Sequence, residues 1–182
     1  MRSFAAAVLL LGLASCSFDY HLWGGFVDGR LALMPEKRAP PGACPDIAIS
    51  DAAGRAVWSF RPSAAMLARP NGCRNWLPLR YGRAPAGSET IVRARTLRTG
   101  TVYVLEGYAG DLMQAAFRFH RRGNRIAVEN LDLGSDEVIA ARTAARQRRD
   151  REDRRDFEAK MRPRNEAVEG PHGDRPLPAE RD

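Results

Sequence analysis

Arginine and aromatic side chains are concentrated in one short segment, which contains the residues best suited to bind a ligand. These residues are Arg74, Trp76, Arg80, Tyr81 and Arg83. Aromatic rings offer flat area for stacking, and guanidinium groups bind carboxylates and phosphates through paired hydrogen bonds. The segment is therefore our candidate ligand surface, and its ligand would be anionic. A simpler interpretation, which we favour on sequence alone, is that Trp76 covers one end of the apolar core while the arginines stay in solvent.

Familiar catalytic motifs are missing from the sequence. It contains no GxSxG, no HExxH and no phosphate-binding GxxxxGK followed by Ser or Thr. Three histidines and three cysteines leave little material for a metal centre. The carboxylates Glu106, Asp111 and Glu129 could form an acid–base pair only through the fold. We therefore expect no metal, no cofactor and no enzymatic activity; the alternative is a hydrolase whose site is invisible in the sequence.

The first sixteen residues have the layout of an export signal. Arg2 precedes an apolar run from Phe4 to Leu13, and small residues then lead to Cys16. The run is about ten residues long, which is too short to span a bilayer core of about 30 Å. We therefore expect a signal peptide over 1–15 rather than a membrane-spanning helix.

The four residues Leu13-Ala14-Ser15-Cys16 resemble the lipobox of bacterial prolipoproteins at every position. This resemblance covers 1–16 and implies cleavage before Cys16, lipid on the cysteine, and a short linker over 16–19. Two or more acyl chains would anchor the protein stably, since each buried CH₂ contributes about 0.8 kcal/mol. The absence of an aspartate directly after the cysteine favours the outer membrane, facing the periplasm. The alternative is an ordinary secretory signal with an unrelated cysteine.

Two cysteines, Cys44 and Cys73, remain once Cys16 is assigned to lipid. Export takes a chain into an oxidising compartment, where an even number of cysteines favours a disulfide. Closing a loop of about 30 residues would stabilise the fold by about 3.5 kcal/mol in the chain-entropy model. The alternative is a pair of free thiols.

The composition fits one globular domain with charged tails. The chain has 182 residues, of which 44% are hydrophobic and 28% charged, and these values exclude disorder over the whole length. The formal net charge is +7, and it is carried almost wholly by arginine, because Lys37 and Lys160 are the only lysines. Apolar stretches of about 18 residues are missing, so we expect no ordinary membrane-spanning helix.

Residues 20–134 alternate short apolar stretches with turn signals, which predicts about eight strands. The turn signals at 28–29, 51–54 and 123–124 each join two such stretches into a hairpin. We predict an all-β domain, either an antiparallel β-sandwich, with the immunoglobulin-like form as one option, or a small barrel. Residues 61–89 interrupt the pattern and are expected to form an insertion loop.

The last predicted hairpin has a definite register. It places Phe119 opposite Val128 and Arg118 opposite Glu129. Apolar and oppositely charged pairs of this kind each contribute up to about 1 kcal/mol. A further strand is expected over 90–97.

Two helices are expected outside this strand pattern. A short helix is predicted over about 62–68 and a long one over 135–162, where Ser135 can cap the first turn. Charged residues dominate 146–156 and recur with opposite sign four residues apart, so this part has no core face. The tail, 163–182, is rich in proline, glycine and charge, and we expect it to be disordered.

These features predict a lipid-anchored, non-enzymatic protein of the bacterial cell envelope that acts as a binding or structural module. Its partners would be the membrane, through lipid on Cys16, and an envelope protein or an anionic cell-wall or lipid ligand. A second hypothesis is an accessory subunit that docks on an envelope complex through its charged helix. Interspersed acidic residues and the export signal argue against a nucleic-acid partner.

Overall fold

The computed structural model describes residues 20–36, 44–68, 73 and 76–161. This part of the chain is mostly β and contains nine strands and two helices. The strands are β1 (Tyr20–Val27), β2 (Arg30–Pro35), β3 (Asp46–Asp51), β4 (Ala56–Pro62), β5 (Leu79–Arg80), β6 (Ser88–Val92), β7 (Val102–Tyr108), β8 (Leu112–Arg122) and β9 (Arg125–Asn130). The helices are α1 (Ala64–Leu67) and α2 (Asp136–Met161). The predicted signal peptide, 1–15, the linker, 16–19, and the tail, 163–182, lie outside the described residues.

The nine strands join in one curled, mixed sheet that forms a half-barrel. The order is β5-β2-β1-β8-β7-β3-β4-β6, and β9 pairs with β8. The short pairing of β1 with β8, where Tyr20 lies opposite Met113, is parallel. The predicted β-rich body and C-terminal helix are confirmed, but the sandwich and the purely antiparallel pattern are not. The reason is that turns determine which strands form hairpins, whereas the order of hairpins in a sheet depends on contacts distant in sequence.

The predicted turns form with the expected local chemistry. Asp28 and Gly29 take φ values of 52° and 72° between β1 and β2, as a type I′ turn requires. Between β3 and β4, Asp51 Oδ1 accepts hydrogen bonds from the N–H groups of Ala53 and Arg55, each at 3.0 Å. The carboxylate thus takes the place of a backbone acceptor in the turn.

The predicted register of the last hairpin is confirmed. In the ladder between β8 and β9, Phe119 lies opposite Val128 and Arg118 lies opposite Glu129. The guanidinium of Arg118 and the Glu129 carboxylate approach to 3.1 Å. The alternation of apolar and charged residues therefore places β8 with one face toward the core.

The inside of the curl contains the main apolar core. Residues from every strand except β6, and from α1, contribute to it. The largest fully buried apolar side chains of this core are Trp58, Phe60, Phe117, Leu33, Ile47, Ile49, Leu79, Leu105 and Met113. Tyr103 stacks on Phe117 with ring centroids 5.7 Å apart, which joins the centres of β7 and β8.

A second, smaller apolar cluster lies between the other face of the sheet and the start of α2. Helix residues Val138, Ala141 and Ala145 are spaced three and four apart and are buried, which gives the helix one narrow apolar stripe. They pack with Val102, Val104 and Ala116 of β7 and β8. Since β7 alternates between the two clusters, it is buried on both faces, as its sequence predicts.

The chain divides into two compact units between Arg148 and Arg149. The first unit contains the sheet, α1 and the beginning of α2. The second is described as far as Met161, and its described residues continue α2 with every residue exposed.

One turn of the body depends on a glycine because the helix passes close to it. Gly54, between β3 and β4, has a φ of +74°, and a Cβ added there would overlap the carbonyl group of Ala144 in α2. Gly100 has a similar φ of +76°, but nothing lies within 4 Å of the position that its Cβ would occupy. Comparing alanine substitutions at the two glycines therefore distinguishes the cost of backbone strain from the cost of contact with the helix.

We predict that Gly54→Ala destabilises the protein more than Gly100→Ala. The strain of a left-handed alanine costs about 1 kcal/mol in both variants. Overlap with α2 adds about 1–3 kcal/mol to the loss in Gly54→Ala. Urea denaturation of both variants and the wild type measures the difference. Equal losses in the two variants would show that the helix does not rest on this turn.

Candidate functional site

The structure brings Cys44 and Cys73 together as a disulfide pair. Their Cα atoms are 4.9 Å apart, which lies within the range for bridged cysteines. Cys73 is buried in the main core. The pair joins the chain entering β3 to the insertion before β5, and the geometry permits the predicted bond. Cys16, the predicted lipidation site, lies outside the described residues.

The candidate ligand residues occupy different environments. Trp76 is only 8% exposed and belongs to the main core, so its ring offers little free area for stacking. Arg80 follows the core residue Leu79 in β5, and its guanidinium forms an ion pair with Asp28 at 2.9 Å. Arg83 is exposed, and Arg74 lies outside the described residues.

Tyr81 holds two separate stretches of backbone together. Its hydroxyl donates to the carbonyl of Arg95 at 2.7 Å, lies 3.1 Å from the carbonyl of Val57, and accepts the Arg95 N–H at 3.2 Å. Its ring meets Trp58 edge-on, with centroids 5.3 Å apart. Burial raises the pKa of Tyr81 to about 12, so the phenol keeps its proton at neutral pH. Trp76 and Tyr81 are thus both built into the packing of the body.

The carboxylate of Glu106 is buried under α2 and paired with two arginines. Glu106 points from β7 toward the helix and is 6% exposed. Its Oε1 lies 3.3 Å from Nε of Arg142 and 3.0 Å from an Nη of Arg146. The two guanidinium groups are one helical turn apart, so both can reach one carboxylate. This cluster fixes α2 on the sheet.

Arg118 connects three elements at the neighbouring strand. Its guanidinium contacts Glu129 in β9 and Glu137 in the first turn of α2, each at 3.1 Å. The hydrogen bond to Glu129 raises the pKa of Arg118, and the same bond lowers the pKa of Glu129. Both Glu106 and Glu129, which the sequence left as possible members of an acid–base pair, are therefore bound to arginine.

A side-chain amide joins β1 to β9 where the two strands separate. Nδ2 of Asn130 donates to the carbonyl of Gly24 at 3.0 Å, and its Oδ1 accepts the Gly24 N–H. A Cβ at Gly24 would lie 3.0 Å from Cγ1 of Val128, so glycine permits this close approach. Beside it, a pocket of about 200 Å³ is lined by His21, Leu22, Ala115, Ala116, Asn130, Leu131, Asp132 and Leu133. No local sequence pattern marks Asn130, although the Gly24-Gly25 pair in a strand is a signal of close backbone approach.

Two further findings concern only the described ranges. No group of three or more His, Cys, Asp or Glu side chains there is arranged to hold a metal ion. None of the helices within those ranges is long and apolar enough to cross a membrane.

Comparisons of the chain with protein-family models, curated proteins and solved structures gave no match.

We predict that removing both arginines above Glu106 is strongly destabilising. The double variant Arg142→Met/Arg146→Met leaves a buried carboxylate without its guanidinium partners, which costs about 3–5 kcal/mol. Adding Glu106→Gln to that double variant removes the negative charge whose two arginine partners are lost, and it should recover much of the loss. Urea denaturation at neutral pH measures the free energy of unfolding of the wild type, the double variant and the triple variant. A triple variant no more stable than the double variant would contradict this account.

Proposed function

We propose that this chain is a lipid-anchored protein of the bacterial cell envelope that acts as a non-enzymatic binding or structural module. The observation that carries the proposal is the lipobox-like sequence over 13–16, placed directly before the folded body. The first strand begins at Tyr20, only four residues after Cys16. Lipid on Cys16 would hold the body at the membrane surface, and the lack of an aspartate after Cys16 favours the outer membrane, facing the periplasm.

The geometry of the body supports an exported protein that binds at its surface. Cys44 and Cys73 lie close enough in space to form a disulfide, which is compatible with an oxidising compartment. Large apolar side chains fill the inside of the half-barrel. A ligand or partner would therefore meet the exterior of the sheet, its loops or α2.

We predict that the mature protein carries acyl chains on Cys16. The wild type, expressed in a bacterial host, should partition with membranes and show the added mass of the lipid in intact-protein mass spectrometry. Cys16→Ser should lack that mass and either retain residues 1–15 or be released. Peptide mapping without reductant should also yield the Cys44–Cys73 peptide pair.

A matched control shows that loss of lipid is specific to the first cysteine. The double variant Cys44→Ser/Cys73→Ser keeps Cys16 and should still be acylated and membrane-bound. An unmodified, soluble wild type would overturn the proposed anchor.

A second candidate function is that of an accessory subunit that docks through α2. One observation favours it: Phe157 and Met161 are 64% and 65% exposed on a stretch of helix that is otherwise mostly charged. Residues four apart lie on one side of a helix, so the two side chains form a small apolar patch. An apolar patch flanked by charge is the pattern by which helices enter grooves on partner proteins.

We predict that Phe157→Ala/Met161→Ala removes most of any specific cross-linked complex formed by the full chain in its host membrane. The control is Ile91→Ala/Tyr108→Ala, which trims two exposed apolar side chains (55% and 61% exposed) from the body. Cross-linking in cells, followed by mass determination of the purified complex, measures the effect. A complex that survives in both double variants would exclude docking through this patch.

A further inference from the structure

A basic pocket lies on the body, and its lining includes Arg95, which contacts the candidate ligand residue Tyr81. Its volume is about 230 Å³, and it is lined by Asp51, Arg55, Val57, Arg95, Thr96, Arg98, Thr101 and Tyr103. The lining comes from three places: the turn between β3 and β4, the segment after β6, and the start of β7. A pocket of this size is smaller than the sites that hold drug-sized molecules, of about 300–1,000 Å³, and suits a small charged group.

The backbone around the pocket is fixed by two tyrosines. The hydroxyl of Tyr81 binds both the N–H and the carbonyl of Arg95, whose N–H also donates to Val57. The hydroxyl of Tyr103, a residue only 2% exposed, accepts the N–H of Arg98 at 2.7 Å. The two arginines therefore extend from anchored positions, which reduces the entropy lost when they bind a ligand.

Charge in the pocket is strongly positive. Three arginines and one aspartate line it, which gives a formal charge of +2. The Asp51 carboxylate is hydrogen-bonded within its own turn. One of its oxygens accepts hydrogen bonds from two backbone N–H groups, and the other binds Arg55 at 2.8 Å. Arg95 and Arg98 line the pocket and are exposed.

Hydroxyl donors complete the lining. Thr96 and Thr101 each contribute a hydroxyl. The Tyr103 oxygen accepts the Arg98 N–H, so its own proton is available to an acceptor in the pocket. The lining residues thus carry three guanidinium groups and three hydroxyls, a donor set that suits an oxyanion with several acceptor oxygens. A phosphate monoester, with a charge of about −1.5 to −2 at neutral pH, would match the charge of the lining.

We infer that this pocket binds a phosphate group, with Arg95, Arg98, Thr96, Thr101 and Tyr103 as its donors. This inference goes beyond the proposed function and does not depend on the lipid anchor. The sequence pattern predicts a strand over 90–97, which would include Arg95 and leave Arg98 beyond its end. In the structure β6 ends at Val92, and the following residues are held by the tyrosines instead of a strand ladder.

The test is a calorimetric titration of the full chain in detergent with inorganic phosphate at low ionic strength. Arg95→Gln/Arg98→Gln should weaken phosphate binding by about tenfold or more, since two charge-assisted contacts are lost. The control Arg121→Gln/Arg122→Gln removes the same charge from two exposed residues at the end of β8 and should change the Kd by less than about twofold. Thermal unfolding confirms that each variant is folded.

A third variant separates a built site from general positive charge. Thr96→Val/Thr101→Val keeps every charge but removes two hydroxyl donors, and it should also weaken phosphate binding. The inference is overturned if the wild type does not bind phosphate, if both arginine pairs weaken binding equally, or if the threonine variant binds as the wild type does.

A second titration, with glycerol 3-phosphate, distinguishes two sources of the phosphate group by comparing the Kd values of the two titrants. An equal Kd for both titrants supports a site for free phosphate. Tighter binding of glycerol 3-phosphate supports a site for the phosphorylated glycerol of a lipid or polymer. Detergent keeps the chain in solution whether or not Cys16 carries lipid. A failure to bind phosphate is therefore distinguishable from a failure of lipidation.

Discussion

One edge of β8 is shared between two strands, and the curl of the sheet follows from how that edge is divided. The beginning of β8 pairs with β1, and its later part pairs with β9. The N–H of Leu131 binds the carbonyl of Ala116 at the transition. Backbone groups at such a position must find partners, and Asn130 supplies them to Gly24 through its side chain. This amide bridge therefore keeps β1 joined to β9 beyond the point where β1 pairs with β8, within the curled half-barrel.

The exterior of β7 and β8 requires a cover, and α2 provides it in one register. The small residues Ala141 and Ala145 let the helix approach closely, while Arg142 and Arg146 reach the buried Glu106. A slip of one turn would bring a non-basic residue to face the carboxylate in place of one arginine. The ion pairs thus select a position for the helix that its narrow apolar stripe alone would specify weakly.

Local features of the fold were predictable because their causes are adjacent in sequence. The turn chemistry at 28–29 and 51–54 and the register of β8 with β9 depend on residues within one hairpin. The amide bridge between Gly24 and Asn130 joins residues 106 apart in sequence, and no local pattern encodes it. For Trp76 the sequence favours a place at one end of the apolar core over a place in a ligand surface, and the structure buries this side chain in the main core. The basic pocket was missed because Tyr81 and Tyr103 override the alternation that predicts a strand.

An open curl, unlike a closed barrel, has strands whose backbone groups could pair with another molecule, and here β5, β6 and β9 each pair with one strand. Here β5 is only two residues long, so one end of the sheet offers few free donors and acceptors. At the other end, β6 carries Glu89, which forms an ion pair with Arg61 of β4 at 3.2 Å. A short strand and a charged strand are both poor templates for edge-to-edge association. Edge-to-edge joining of copies of this chain into a continuous sheet is therefore disfavoured at these two ends.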